Sequence, residues 1–189
     1  MSAGPGRQWV LDTSSLWGLV KAGLLGDLVA SAPGLLHVTP TVLEELRRKV
    51  EENPFLAEAI ALIEAKSIDV VELSHAELRR TVDIHSSLWQ RSARDTNDLG
   101  EAEVIAVASI RGWNAVIDDR QGRRTMEYRY PQLDCVRAAE IVLGLVDAGQ
   151  FDMNEGYRLL GVMDDPLADR PKGEWLGRKG LRSVRLGPL

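Results

Sequence analysis

The sequence predicts an α/β fold: a single domain on a mainly parallel sheet of four to five strands, flanked by helices. Three observations carry that prediction. Short apolar runs alternate with amphipathic stretches of helical period. The segment from Gly100 to Ile110 is apolar almost all round, as a helix buried against a sheet would be. Acidic residues recur where the apolar runs end, the pole of an open α/β sheet at which functional groups collect.

The elements follow in order. Trp9 to Leu11 reads as a first strand that ends at Asp12, and Thr13, Ser14 and Ser15 offer caps for a helix through Leu16, Leu19 and Val20. A second helical piece spans about Leu24 to Ala30, and the Pro33-Gly34 turn leads to a strand over Leu35 to Val38. Thr39-Pro40 starts a helix with Val42, Leu43, Leu46 and Val50 on one face. Asn53-Pro54 breaks it before a helix over Phe55 to Ala65. Strand three is expected over Ile68 to Leu73, a polar-faced helix over Ser74 to Arg91, and a polar loop over Ser92 to Leu99. After the apolar helix, Trp113 to Ile117 predicts strand four, closed by Asp118 and Asp119. A short fifth strand near Leu133 to Val136 precedes a helix over Arg137 to Val146, and one more helix spans Asn154 to Val162. The expected organisation is a domain over 8–148, a helical extension over 149–169 and a basic tail over 170–189.

Length and composition bound the rest. A chain of 189 residues suits one ordinary core better than two, and 44% hydrophobic with 27% charged residues is a globular balance. No apolar run is long enough to span a bilayer and the opening residues lack a signal-peptide core, so a cytoplasmic location is expected. Cys135 is the only cysteine, which excludes an internal disulfide and any zinc site built from several thiolates, and core packing is its expected role. His37, His75 and His85 have no ligand spacing and read as surface or packing residues. The net charge of −5 is unevenly spread: Arg170 to Leu189 holds six basic residues against Glu174, a net +5, which leaves −10 on the remainder.

The acids carry the chemistry. Asp12 closes strand one, Glu44 and Glu45 lie early in the helix after strand two, Glu101 and Glu103 open the apolar helix, and Asp118 and Asp119 close strand four. Two carboxylates 4 Å apart repel by about 4 kcal/mol at an effective dielectric near 20, so a convergence of several calls for protons or cations. An oxygen-only donor set points to Mg²⁺ or Mn²⁺ rather than zinc. Such ions activate water and stabilise the charge that builds on a phosphodiester, with no protein nucleophile required.

Four segments in order, Val10-Leu11-Asp12-Thr13-Ser14, Val42-Leu43-Glu44-Glu45-Leu46, Leu99-Gly100-Glu101-Ala102-Glu103-Val104-Ile105-Ala106-Val107-Ala108 and Val116-Ile117-Asp118-Asp119-Arg120, resemble the PIN domain family, including VapC-type toxin ribonucleases and related predicted nucleases. The resemblance covers Gln8 to Ala148. It implies an endoribonuclease dependent on Mg²⁺ or Mn²⁺, with Asp12, Glu45, Glu101 and Asp119 as catalytic and metal-binding acids and Asp118 as a neighbouring ligand. It also implies RNA as substrate, a homodimer, and the toxin role within a toxin and antitoxin pair, with a small antitoxin protein as partner.

Each assignment has an ordinary alternative. Asp12 also reads as a helix cap, and Asp118-Asp119 as a pair capping the next helix. Glu45 precedes Leu46 and lies nearer the apolar stripe than Glu44, the alternate. Glu101 and Glu103 point about 200° apart on a helix, so one serves the metal and the other, Glu103 by preference, an ion pair or substrate contact. Thr13 and Ser14 suit contact with phosphate or metal-bound water as well as capping. Arg120, Arg123, Arg124 and Arg129 suit RNA phosphates or a solvated helix face, with Arg91 and Arg94 weaker. Trp89 and Trp175 are open to base stacking, whereas Trp113 reads as core. The competing function is a PIN-like binding module for nucleic acid or protein that has lost cleavage. A phosphoacceptor domain is disfavoured because strand three ends Val71-Glu72-Leu73-Ser74 and no Lys lies between Lys66 and Lys172. No Gly-rich nucleotide loop occurs.

Overall fold

The computed structural model describes residues 8–89 and 99–169. Its centre is a five-stranded, wholly parallel sheet of β1 (Trp9–Leu11), β2 (Leu36–Val38), β3 (Asp69–Val70), β4 (Asn114–Val116) and β5 (Cys135–Val136), in the order β3-β2-β1-β4-β5. The helices are α1 (Thr13–Lys21), α2 (Leu25–Ser31), α3 (Pro40–Lys49), α4 (Ala57–Glu64), α5 (His75–Trp89), α6 (Leu99–Arg111), α7 (Arg120–Arg129), α8 (Ala138–Asp147) and α9 (Met153–Val162), with 3-10 turns at Pro54–Leu56 and Pro166–Asp169. The predicted α/β class is therefore the observed one.

Strands this short persist because both faces are covered. Every residue of β1, β2 and β4 is buried, the signature of a parallel sheet between helical layers. With right-handed crossovers, the run β1 to β2 to β3 and the opposite run through β4 to β5 put their helices on opposite faces. Accordingly α1 packs with α2, α4 and α8, while α6 packs with α5 and α7 and against β1 and β4. The apolar α6 is the keystone of its layer: Ala102, Val104, Ile105, Ala106, Val107 and Ala108 are all inaccessible. Each large side chain so buried contributes about 1.5–3 kcal/mol.

Strand three is shorter than the predicted Ile68 to Leu73. Only Asp69 and Val70 pair, at the sheet edge and with exposed side chains, while the apolar neighbours Ile68 and Val71 turn inward. Trp113 is half-buried and stacks on His37, ring centroids 4.4 Å apart, and the Arg111 guanidinium lies over the Trp113 ring, 4.9 Å from its centroid. His37 itself is buried on β2, bonds to Gln8, and has its pKa lowered, first by burial. Cys135 is partly buried, and burial raises its thiol pKa, which removes thiolate chemistry at neutral pH. No helix among the described residues is long and apolar enough to cross a membrane. Arg91, Arg94, Trp175, the side chain of Trp89 and the basic tail lie outside the described residues.

One buried charge ties the two ends of the α5–α6 pair. Ser74 and Glu77 form a capping box at the start of α5: the Ser74 N–H and Oγ donate to Glu77 Oε2 at 2.7 and 2.8 Å, and the Glu77 N–H returns to Ser74 Oγ at 3.3 Å. Arg111, from the end of α6, donates through Nε to Glu77 Oε1 at 2.5 Å and through Nη2 to the Glu72 carbonyl at 2.7 Å. Burial alone raises the Glu77 pKa, but the Arg111 and Ser74 bonds outweigh it and hold the carboxyl at about 2 rather than 4.5. The folded state thus binds fewer protons than the unfolded chain. The resulting stability is complete above about pH 4.5 and lost as pH falls toward 2. Glu77→Gln is expected to be less stable by about 3 kcal/mol at pH 7. In urea unfolding followed by circular dichroism, the gap from wild type should close between pH 4.5 and 2; a gap independent of pH would contradict the assignment.

Candidate active site

The strand order reverses direction between β1 and β4, which makes their carboxyl ends the switch point of the sheet. Asp12 stands there. The chain leaves β1 in extended conformation, so the Asp12 carboxylate turns back over the start of α1 and caps it, accepting from the Ser15 N–H at 2.7 Å. Its other oxygen accepts from Ser14 Oγ at 2.7 Å and from the Asp118 N–H at 3.3 Å. Ser15 Oγ bonds the carbonyls of Asp12 and Val116, both at 3.0 Å, and so locks the ends of β1 and β4 together. Asp12 is only 4% exposed. Burial raises its pKa, with the Ser15 and Ser14 hydrogen bonds acting in opposition. The capping and ligand readings of Asp12 are therefore compatible, because capping is what aims the carboxylate.

Glu45 is buried on α3, whereas Glu44 is exposed on another face of the same helix. The Glu45 carboxylate accepts from Thr13 Oγ1, which joins the second acid to the residue after the first. It also runs against the first turn of α6: a Cβ at Gly100 would lie 3.0 Å from Glu45 Oε1 and 3.4 Å from Cδ. Glycine at 100 lets the Glu45 side chain pass between α3, α6 and α1.

Glu101 makes a comparable approach to α7. A Cβ at Gly122 would come within 2.5 Å of Glu101 Cδ and 2.8 Å of Cγ, so no side chain fits there while Glu101 keeps its place. The same turn holds Asp119, which caps α7 by accepting from the N–H groups of Gln121 at 2.5 Å and Gly122 at 3.2 Å. Asp119 is exposed, so one acid of this turn is reachable from solvent. Glu103 points elsewhere: it is buried and accepts from Thr41 N–H at 3.1 Å and Thr41 Oγ1 at 2.8 Å, filling two bonds at the start of α3. The structure thereby separates Glu101 from Glu103 as their helical offset requires.

Asp118 lies beside Asp12 rather than Asp119. Its Oδ1 accepts from the Ala138 N–H at 2.9 Å at the start of α8. Burial, followed by the charge of Asp12, raises its pKa to about 6 despite that bond and despite Arg137 nearby. Arg137 in turn pairs with Asp165, and Lys21 with Asp164, so the turn after α9 is tied to the helices on either side of Asp118. Arg123 directs its guanidinium to the Asp118 and Ile117 carbonyls, where it closes off the end of β4. Arg120 and Arg124 are exposed and, with Asp119 and Gln121, line an open hollow of about 360 Å³; Arg129 is exposed at the far end of α7.

The predicted acids thus gather at one pole in linked pairs, Asp12 with Asp118 and Glu45 with Thr13, and Glu101 packs on the turn that Asp119 caps. Among the described residues, no three His, Cys, Asp or Glu side chains are close enough to hold one ion together. The donor chemistry nevertheless fits a hard divalent cation: the groups are carboxylates and hydroxyls, and Asp12, buried, and Asp118, partly buried, have raised pKa values, a state that a cation between or beside them would relieve. Sequence reasoning missed Ser15 as the β1–β4 tie, and it missed the two glycines that admit Glu45 and Glu101. A signal was present, since a Gly inside a helix costs about 1 kcal/mol against Ala and generally has a packing reason.

A protein-family model described as a PIN domain matches residues 8–164, a span holding all five strands and α1 through α9. No curated protein matches the chain.

The contact between Gly122 and Glu101 yields a double-mutant test. Gly122→Ala is expected to forgo the gain of up to ~1 kcal/mol usual for Gly to Ala in a helix, because the Glu101 side chain must swing aside to admit the methyl group. In a Glu101→Ala background the same change should become stabilising, as read by thermal denaturation. A stabilising single Gly122→Ala would show that Glu101 does not occupy this space.

Proposed function

The chain belongs to the PIN domain family, a nuclease fold whose members generally use divalent metal, and on that premise we propose that it is an endoribonuclease dependent on Mg²⁺ or Mn²⁺. The observation that carries the reading is the burial of Asp12 beside Asp118 at the carboxyl ends of β1 and β4, with both carboxyls pushed toward protonation. A fold that buries this much negative charge at its switch point is built to receive a cation there.

In this proposal Asp12, Glu45, Glu101 and Asp119, with Asp118 as a neighbouring ligand, supply the carboxylates to the metal, and binding it draws together groups that stand apart among the described residues. Glu44 and Glu103 are weaker alternates, the first exposed and the second occupied by Thr41. The bound ion supplies the Lewis acidity that lowers the pKa of water and offsets charge on the phosphodiester. The chain's own residues orient and bind. Ser14 and Ser15 fix the Asp12 carboxylate, Thr13 fixes Glu45, and Gly100 and Gly122 let the two glutamates reach inward. Arg120 and Arg124, beside Asp119, are placed to take RNA phosphates; Arg123 acts through the Asp118 carbonyl instead. Thr13 and Ser14 stand next to the metal-binding acids, where a hydroxyl serves phosphate as well as carboxylate. Cytoplasmic action, a homodimer and control by a small antitoxin protein belong to the same proposal.

The test is cleavage of structured and unstructured RNA by the purified chain in EDTA, Mg²⁺ or Mn²⁺. Activity should require the ion, and Asp12→Asn or Asp119→Asn should lose more than the ~10–100-fold typical of removing an outer-shell partner. Absence of cleavage across several RNAs, after removal of any copurified partner, would instead favour a PIN-like binding module.

A further inference from the structure

Helix α7 divides into rows with different duties. Gly122, Thr125 and Met126 are buried against the domain. Arg123 and Glu127 both lie within electrostatic reach of Cys135, so this row leans toward β5. The row that faces outward is Arg120, Arg124 and Tyr128, spaced four residues apart and all exposed.

Tyr128 is 86% exposed and is the only large hydrophobic side chain exposed on α7. The helix has a second nearby tyrosine for contrast: Tyr130 is half-buried and its hydroxyl accepts from Arg80 Nη1 at 2.8 Å. Tyr128 has charged neighbours, Glu127 and Arg129, and no adjoining apolar patch on its helix, which makes it a poor anchor for a protein partner. An isolated aromatic face in line with two guanidinium groups is instead the recognition chemistry of a nucleic acid strand, whose bases stack while its phosphates pair with arginine.

The row starts at the acid pole. Arg120 and Arg124 share their hollow with Asp119, and Tyr128 lies about 12 Å farther along the helix axis than Arg120. Each step of the row advances about 6 Å along the helix axis. The charge is complementary too: four arginines against Glu127 in α7 make it a cationic element on a body that is otherwise acidic.

We propose that the outer row of α7 is a track for single-stranded RNA, on which Arg120 and Arg124 bind phosphates and Tyr128 stacks on a base, leading the strand to Asp119. The proposal rests on the nuclease reading and adds to it the residues that select an unpaired strand. A duplex keeps its bases stacked inside and offers Tyr128 nothing to stack on.

The experiment is fluorescence anisotropy of the full chain with an unstructured oligoribonucleotide and with a duplex of the same sequence, in EDTA so that nothing is cut. Tyr128→Ala should weaken single-strand binding roughly 5- to 100-fold and leave duplex binding unchanged, and Tyr128→Trp should restore it. Arg120→Gln and Arg124→Gln should each reduce the salt slope by about 0.7. Exposure of all three side chains means that melting temperatures should stay at the wild-type value. Wild type that fails to bind the strand, or Tyr128→Ala that binds as wild type does, overturns the inference. The nuclease reading fails separately: a chain that binds through Tyr128 but cuts no RNA with Mg²⁺ or Mn²⁺ would sink that reading and leave the track standing.

Discussion

The constraint on which the rest depends is that a carboxylate is buried at the end of the central strand. Asp12 can occupy that place because neutral donors meet it on every side that the fold controls: Ser15 and Ser14 from α1 and the Asp118 N–H from beyond β4. Those bonds do not cancel the charge. They offset part of the desolvation, and the adjacent Asp118 adds repulsion, so the pole is left with a demand for positive charge. The sheet order makes this unavoidable, since β1 and β4 are neighbours and each ends in an acid.

The surrounding residues keep that demand focused. Glu103 and Glu77 are also buried but are engaged away from Asp12, the first hydrogen-bonded by Thr41 and the second paired with Arg111 and hydrogen-bonded by Ser74. Arg137 is paired with Asp165 and Arg123 with backbone carbonyls, so neither of these nearby cations forms an ion pair with Asp12 or Asp118. The glycines at 100 and 122 work in the same direction, trading helix propensity for room in which Glu45 and Glu101 lie. Stability is spent where chemistry is concentrated.

Much of this was legible in the sequence. The five strand positions and the order of the helices followed from periodicity and capping residues, because both faces of the sheet are covered and the apolar runs are short and continuous. The boundary of β3 was not, because an edge strand is set by pairing to β2 and Ile68 and Val71 bury themselves without extending the ladder. The acids were found because each stands at the end of a strand or the start of a helix. Their pairing was hidden, since bonds such as Thr13 to Glu45 and Thr41 to Glu103 join residues 32 and 62 positions apart. Asp118 and Asp119 show the limit most plainly: adjacent in the chain, they diverge in space, one toward Asp12 and α8, the other over the start of α7.

The central claim is that the pole around Asp12 is a cation site. Crystals of the wild-type chain and of Asp12→Asn, each soaked in Mn²⁺, would be compared in anomalous difference maps. The account predicts a peak in contact with the Asp12 carboxylate at the carboxyl ends of β1 and β4, absent from the variant. A wild-type map with no peak there, or with manganese held by Glu44 or Glu103 instead, would contradict it.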